Sequence, residues 1–191
     1  MEPEVWAPKG TPILQYAVAE GYDTKEPVRG SEHAAGMDVF IPNPTYQFTK
    51  DYWEKNGVTF TTEEERRKYY EKGIASEHPF LIRVNAHSKI IIPTGLRFNI
   101  PEGTYLEVAN RGSMAAKEGM IFGAHIIDSD FVGVVFINLI NTTSGQVMLT
   151  CGQKIAQLIH KEYIRSKLIR IPESNIRTTT RGDGALGSTG K

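Results

Sequence analysis

Asp128 and Asp130 stand two residues apart in the segment Ala124 to Phe131, AHIIDSDF. In an extended chain their carboxylates emerge on one face. Such a pair can hold a metal, or one member can take a proton from water. The same residues also suit a polar turn between two apolar strands, and read alone they favour that turn. Arg111-Gly112-Ser113-Met114-Ala115-Ala116-Lys117 sets a fixed cation and a hydroxyl beside a glycine at the start of a short helix, where unpaired amides face outward. This group can cradle phosphate, and it equally describes a capped helix with a surface arginine. Gln157 is a polar residue among apolar neighbours in Gly152 to Ile159, an ordinary strand by itself. The tail from Arg177 to Lys191 lacks anchoring apolar residues, as a disordered terminus does. It also carries Arg181, Ser188 and Thr189 on glycines that can approach phosphate closely and close as a lid. It is not a P-loop, because Ala185 occupies the place of that motif's first glycine.

The elements that must position these groups are mostly strands. From Phe80 onward, FLIRV, KIIIPTG, LRFNI, TYLEVA, VGVVFINLI, QVMLT and KIAQLIHKEYI follow one another between turn residues, which predicts a sandwich or barrel. Pro101-Glu102-Gly103 and Thr143-Ser144-Gly145 are expected to turn hairpins. Residues 42–79 differ: aromatic and charged residues follow helical spacing between prolines, so this stretch looks like a helical insertion. A helix is expected from about Thr49 to Asn56, ending at Gly57. A second is capped by Thr61 or Thr62 with Glu64 or Glu65 as reciprocal partner, and ends at Gly73. Tyr52, Trp53, Tyr69 and Tyr70 can pack these helices on each other or on a protein partner, the simpler reading being a helical hairpin that covers the barrel.

At 191 residues, with 40% hydrophobic and 23% charged residues, the chain suits one folded domain. Its 22 basic and 22 acidic residues balance, which removes the positive field that non-specific nucleic-acid binding needs. The lone Cys151 can form no internal disulfide and no cysteine-rich zinc set, and the five histidines (His33, His78, His87, His125, His160) lack ligand spacing. The start, MEPEVWAPKG, has acids and prolines in place of a secretion signal, and no stretch approaches a membrane span. A cytoplasmic setting is expected, in which Asn141-Thr142-Thr143 is an ordinary turn rather than a glycosylation site.

Taken in order, Ala35-Gly36-Met37-Asp38-Val39, Arg111 to Lys117, His125 to Gly133, Gly152 to Ile159 and Arg181 to Gly190 resemble the five motifs of the trimeric dUTPase family. The likeness runs from about Ile13 to the C-terminus, broken by the helical stretch, and takes in PTGLRFNIPEG at 93–103. It implies an all-β fold, a jelly-roll-like β-barrel with a small α-helical insertion, as one domain over 1–191 with the insertion at 42–79. It further implies a homotrimer with active sites between subunits, over which a flexible tail, 177–191, closes. The implied reaction is hydrolysis of dUTP to dUMP and pyrophosphate with Mg2+ on the triphosphate, keeping uracil out of DNA and supplying dUMP for dTMP synthesis.

By the same resemblance Asp128 is the water-activating base, while Asp130 is structural. Arg111, Gly112, Ser113, Gln157, Arg181, Gly187 and Ser188 contact the nucleotide. Gly123 and Ala124 lie near the tip of a base-reading hairpin over about Met120 to Ile126, and Ile127 also contacts the nucleotide. Phe131 packs under deoxyribose in place of the family's tyrosine, and Asp38 is a magnesium position reached through water. Departures are Arg111-Gly112-Ser113 for Arg-Ser-Gly, His125 for a glycine, Ala185 for a glycine, and Leu186 for the phenylalanine that stacks on the base. A dCTP deaminase-type enzyme shares the fold but uses a glutamate on the strand after the third motif. Here that position is Asn138, and no glutamate lies between Ser129 and Gly145. Zinc deaminases are excluded by the single cysteine. A third possibility is a regulatory binding protein that kept the fold and uses the insertion as an interaction surface, and a fourth a structural jelly roll, which leaves the five ordered motifs unexplained.

Overall fold

A computed structural model describes residues 12–74, 81–182 and 184. In chain order the elements are β1 (Gln15–Val18), β2 (Val28–Arg29), β3 (Met37–Phe40), α1 (Tyr46–Lys55), α2 (Glu63–Ile74), β4 (Leu81–Val84), β5 (Lys89–Pro93), β6 (Leu96–Asn99), β7 (Thr104–Ala109), α3 (Gly112–Ala116), β8 (Met120–Phe122), β9 (Ile126–Ile127), β10 (Phe136–Asn141), β11 (Val147–Thr150) and β12 (Lys154–Glu162). A short 3-10 turn, Glu173–Asn175, follows. The strands form sheets ordered β2-β3-β12-β7-β9, β5-β10-β8, β1-β6 and β11-β4, every pairing antiparallel. Alternation along β4, β6 and β10 sends Ile82, Val84, Leu96, Phe98, Ile137 and Leu139 into a common core with Leu106, Leu149, Ile155 and Leu158. This is the expected all-β barrel of jelly-roll type.

The two expected hairpin turns exist, but neither joins paired strands. Thr104 N donates to Pro101 O at 3.1 Å and Gly103 takes φ 82°, so the chain reverses there. Yet β6 goes to β1 while β7 goes to β12 and β9. The turn is a corner between sheets. The 143–145 turn likewise passes from β10 to β11, which pairs with β4. Asn141 organises it: fully buried, its Nδ2 donates to the carbonyls of Val84, Asn85 and Gly145, and its Oδ1 accepts from Thr143 N at 2.9 Å. The asparagine of the glycosylation tripeptide is therefore a structural stitch.

Both helices of residues 42–79 form, with shifted ends. α1 starts at Tyr46 rather than Thr49, because Thr45 Oγ1 caps it by accepting from Phe48 N at 3.2 Å. Gly57, at φ 82°, follows its C-cap Asn56 as expected. Glu65 N donates to Thr62 Oγ1 and Thr61 N to Glu65 Oε2, each at 3.1 Å, so the expected reciprocal cap is present at the start of α2. α2 runs through Gly73 to Ile74 rather than ending there. The helices meet through a T-shaped Tyr46–Tyr70 pair with centroids 5.4 Å apart.

α1 does more than cover the barrel. Its Phe48 is completely buried within the main core, against Tyr22. Asn56 Nδ2 donates to Ile91 O at 2.7 Å and its Oδ1 accepts from Ile91 N at 2.9 Å. One carboxamide thus replaces the missing neighbour of β5, an edge strand of its sheet. Among the described residues no helix is long and apolar enough to cross a membrane.

Candidate active site

The centre of the large sheet gathers three of the polar segments in one row. In the pairing register, Gln157 on β12 faces Asp38 on β3 on one side and Ala109 on β7 on the other, and Arg111 follows two residues later. Asp38, with its side chain only 7% exposed, accepts from Arg111 Nε at 3.0 Å and pairs with Lys154 Nζ at 2.8 Å. Arg111 Nη1 donates to the Lys154 carbonyl at 3.1 Å. Asp38 therefore clamps two cations through its two oxygens, which is the geometry of an anchor and differs from the water-mediated metal position expected for it.

Lys154 was not legible as a site residue, for a reason of register. Three residues from Gln157, it would point to the opposite face of a regular strand. The pairing of β12 with β3 slips by one residue between Lys154 and Ala156, and this bulge turns Lys154 to the face that Gln157 and Asp38 share. Gly36 completes the row: a Cβ there would lie 2.8 Å from Gln157 Oε1, so only glycine lets the glutamine side chain lie flat. At the head of α3, Gly112 and Ser113 are exposed, and a Cβ at Gly112 would meet nothing within 4 Å. Arg181 is exposed, its Nε donating to Gly184 O at 2.9 Å. Leu186, Gly187 and Ser188 lie outside the described residues.

Asp128 belongs to a second locus, at the end of the edge strand β9. It does not continue that strand. Phe131 N donates to Asp128 O at 3.1 Å, closing a turn over 128–131, so the two aspartates are not the alternating pair of an extended segment. Asp128 lies where two hollows meet. One, of about 210 Å3, is apolar and lined by Ile126, Ile127, Phe131, Val135 and Phe136. The other, of about 550 Å3, is polar and lined by Ile100, Glu102, Ser129, Asp130, Tyr163 and Arg165. Gly133 shapes the first: a Cβ there would lie 2.8 Å from the Phe131 ring, a role the sequence did not disclose. A third hollow, of about 400 Å3 between Tyr46, Glu63, Arg67, Tyr70 and Glu71, shares no residue with either locus.

The segment expected as a base-reading hairpin is not a ladder of its own. β8 pairs with β10 and β9 with β7, so its arms belong to different sheets and Gly123 and Ala124 bridge them. Gly123 N donates to Asn138 O at 3.0 Å. His125 turns back onto β7, with Nδ1 3.0 Å from Val108 O and its own carbonyl accepting from Val108 N at 2.7 Å. A carbonyl only accepts, so Nδ1 carries the proton. The imidazole is thereby tied to the sheet beside the bridge.

The dUTPase family model matches residues 75–190, and the deoxyuridine 5'-triphosphate nucleotidohydrolase of Kluyveromyces lactis is 30% identical over 88% of this chain and 88% of its own length. The chain belongs to the dUTPase family. Solved dUTPases bear out the fold. A mutant of the Staphylococcus bacteriophage 80alpha dUTPase with dUpNHpp superposes with a TM-score of 0.67, at 18% identity, covering 95% of this chain and all of that one. A mutant dUTPase of phage phi11, whose structure reveals the coordination of a structural Mg(II) ion, has a TM-score of 0.59 at 17% identity, covering 85% of this chain and 98% of that one. The row of Gly36, Asp38, Arg111 and Gln157 brings together three of the five segments that resemble the family's motifs, and Asp128 lies in another of them at a separate place.

Proposed function

We propose that the chain hydrolyses dUTP to dUMP and pyrophosphate, with Asp128 as the base. The observation that carries this reading is the position of Asp128 between an apolar hollow floored by Phe131 and a polar one. A deoxynucleoside suits the first and solvent the second. A water on the polar side gives its proton to the Asp128 carboxylate and attacks the α-phosphorus in line. The new O–P bond forms as the bond to the bridging oxygen breaks, and pyrophosphate leaves with that electron pair. Phe131 against the sugar leaves no room for a 2′-hydroxyl. Arg111, held by Asp38, acts with Gln157, Ser113 and Arg181 as donors to the phosphates.

Magnesium fits as a companion of the triphosphate rather than a resident of the protein. Among the described residues no three or more His, Cys, Asp and Glu gather to hold a metal, and both Asp38 oxygens already serve cations. When it accompanies the triphosphate, the ion would supply charge neutralisation, while Arg111, Gln157, Ser113 and Arg181 hold the phosphates.

A homotrimer suits this reaction. Asp128 and Gln157 are separated by two strand spacings of about 4.8 Å and about four residues of 3.3 Å, on the order of 15 Å in all. Asp128 and the phosphate donors must meet at one nucleotide, and donors supplied by a neighbouring copy of the chain would shorten that span. The segment after β12 fits this arrangement, for Ile164, Leu168 and Ile169 are 92, 94 and 71% exposed on their own subunit and suit a neighbour's surface. A reducing, cytoplasmic compartment suits a chain with one cysteine.

The test is incubation with magnesium and dUTP, dCTP, dTTP or UTP, with products resolved by chromatography. The expected result is dUMP and pyrophosphate from dUTP, lost in Asp128→Asn. Absence of turnover, or deamination of dCTP, overturns the reading. Mass in solution tests the trimer.

A further inference from the structure

The turn that begins at Asp128 is held at its two ends and at one point between them. At the near end Phe131 N donates to Asp128 O at 3.1 Å. At the far end Val135 N donates to Leu96 O, and Thr94 gives both its amide and its hydroxyl to Val135 O, all at 2.9 Å. Thr94 is fully buried, so this end is fixed to the core. Among the described residues no backbone–backbone hydrogen bond holds 132–134. The bond that does comes from Arg97 on β6, whose Nε donates to Val132 O at 2.8 Å. Arg97 points outward between the buried Leu96 and Phe98, and it forms no ion pair among the described residues.

The peptide that Arg97 grips is the one on which the Phe131 ring rests. A Cβ at Gly133 would lie 2.8 Å from Phe131 Cζ and 3.2 Å from its Cε2, so the ring lies against Gly133, and the Val132 carbonyl belongs to the peptide unit that leads into that glycine. Valine or threonine would serve an exposed strand position at least as well as arginine. A guanidinium adds a charged donor, whose bond to a carbonyl is stronger than a neutral one. We propose that Arg97 is a positioning residue for the hydrolysis, fixing the 132–133 peptide and with it the Phe131 ring and the aim of the Asp128 carboxylate. Without that bond the turn is free to shift between its two fixed ends. Phe131 then no longer bars a 2′-hydroxyl, and Asp128 no longer holds water in line with the α-phosphorus. Arg97 lines neither hollow beside Asp128, so it acts through these two residues and not on the nucleotide. This inference rests on the reading of the chain as a dUTP hydrolase.

The experiment compares the parent with Arg97→Ala and Arg97→Lys, measuring kcat and KM for dUTP and for UTP together with thermal unfolding. For Arg97→Ala the expected result is a kcat for dUTP lowered roughly 10- to 100-fold, the effect of a reacting group displaced by up to about 1 Å. The preference for dUTP over UTP, taken as the ratio of the two kcat/KM values, falls roughly 3- to 10-fold. Unfolding temperature stays within about 4 °C of the parent's, since the lost bond is exposed. Arg97→Lys keeps a charged donor at similar reach and lies between the parent and Arg97→Ala. Preference decides, because a ratio does not change when part of the sample is unfolded. An Arg97→Ala variant active on dUTP with the parent's preference overturns this inference alone, whatever its rate or unfolding temperature. So does an Arg97→Lys variant no better than Arg97→Ala. Should Arg97→Ala not fold, the comparison is made on Arg97→Lys, whose preference is expected below the parent's and overturns the inference if equal to it. A parent that turns over no dUTP overturns the hydrolase reading and this one with it.

Discussion

Replacing Asp38 by asparagine tests whether that carboxylate is an anchor for Arg111 or a position for metal. The side chain is 7% exposed and sits 3.0 Å from Arg111 Nε and 2.8 Å from Lys154 Nζ. Breaking a buried pair by neutralising one partner costs about 3–5 kcal/mol when the remaining charge stays buried. Here Arg111 is 23% and Lys154 37% exposed, so water recovers part of that, leaving about 2–3 kcal/mol. For a chain of this size each kcal/mol shifts unfolding by about 2–4 °C, so Asp38→Asn should unfold roughly 4–12 °C below the parent at equal protomer concentration. Asparagine keeps one acceptor oxygen and sets an amide donor where the other stood, so Arg111 and Lys154 would compete for a single neutral partner. A phosphate donor misplaced by about 1 Å lowers kcat/KM on the order of 100-fold. Pyrophosphate release across a range of dUTP and magnesium concentrations reads this directly. If kcat/KM stays within about twofold while stability drops, Arg111 does not depend on Asp38 for its position. If excess magnesium restores the rate, Asp38 acts through the metal and the anchor is wrong.

Asn56→Leu removes both hydrogen bonds to Ile91 and bares the outer edge of β5; we expect about 2–3 kcal/mol of destabilisation and aggregation on heating, and an unchanged melting curve would contradict the edge-capping role. Burial pushes the Tyr52 hydroxyl up to about 12, and burial with the neighbouring Asp51 pushes Tyr22 up as well. Both folded values exceed the unfolded value near 10, so their contribution is complete below about pH 10 and is lost as pH rises from there through the folded values. Unfolding temperature should therefore fall above pH 10 in the parent and less steeply in a Tyr22→Phe, Tyr52→Phe double variant; equal slopes would refute the assignment.

What the sequence disclosed and what it hid divide along a physical line. Strands β4 to β7 and β10 to β12 were legible because Val, Ile and Leu recur in them; β1, β2, β8 and β9 were not, since runs of two to four residues are too short for a pattern, and β3 was not, since its buried run carries an aspartate. Turn chemistry located the reversals at Gly103 and Gly145 but not the strands they connect, because a turn fixes where a chain reverses and not which sheet receives it. Thr62 and Glu65 announced α2, as capping is a local interaction. The start of α1 was placed late, and the burial of its Phe48 was invisible, since burial depends on the partners that Tyr22 and the barrel bring. In the site, Asp128, Arg111 and Gln157 could be picked out by type and order. Lys154 needed the bulge, and Asp38's clamp on two cations needed the register of three strands.

The helical stretch reaches the site by a short chain of contacts, which bears on how separable it is. Asn56 fixes the end of α1 to β5, and the adjacent Lys55 places its ammonium 4.7 Å from the centre of the Phe136 ring. Phe136 in turn lines the hollow that Asp128 and Phe131 share. A cation over an aromatic face contributes on the order of 0.5–1 kcal/mol at a surface position, enough to bias the ring but too little to hold it alone. The stronger ties are Phe48 in the core and the paired bonds of Asn56, and both act through β5 on β10, the strand that carries Phe136 and Asn138. α1 is therefore a structural wall of the barrel on the side of the apolar hollow beside Asp128, whereas α2, exposed along most of its length and laced by Glu64–Lys68 and Arg67–Glu71 pairs, is the part that can vary without disturbing it. Excising 42–79 as a unit would remove both, and the loss of activity would then report the missing edge of β5 rather than any role of α2.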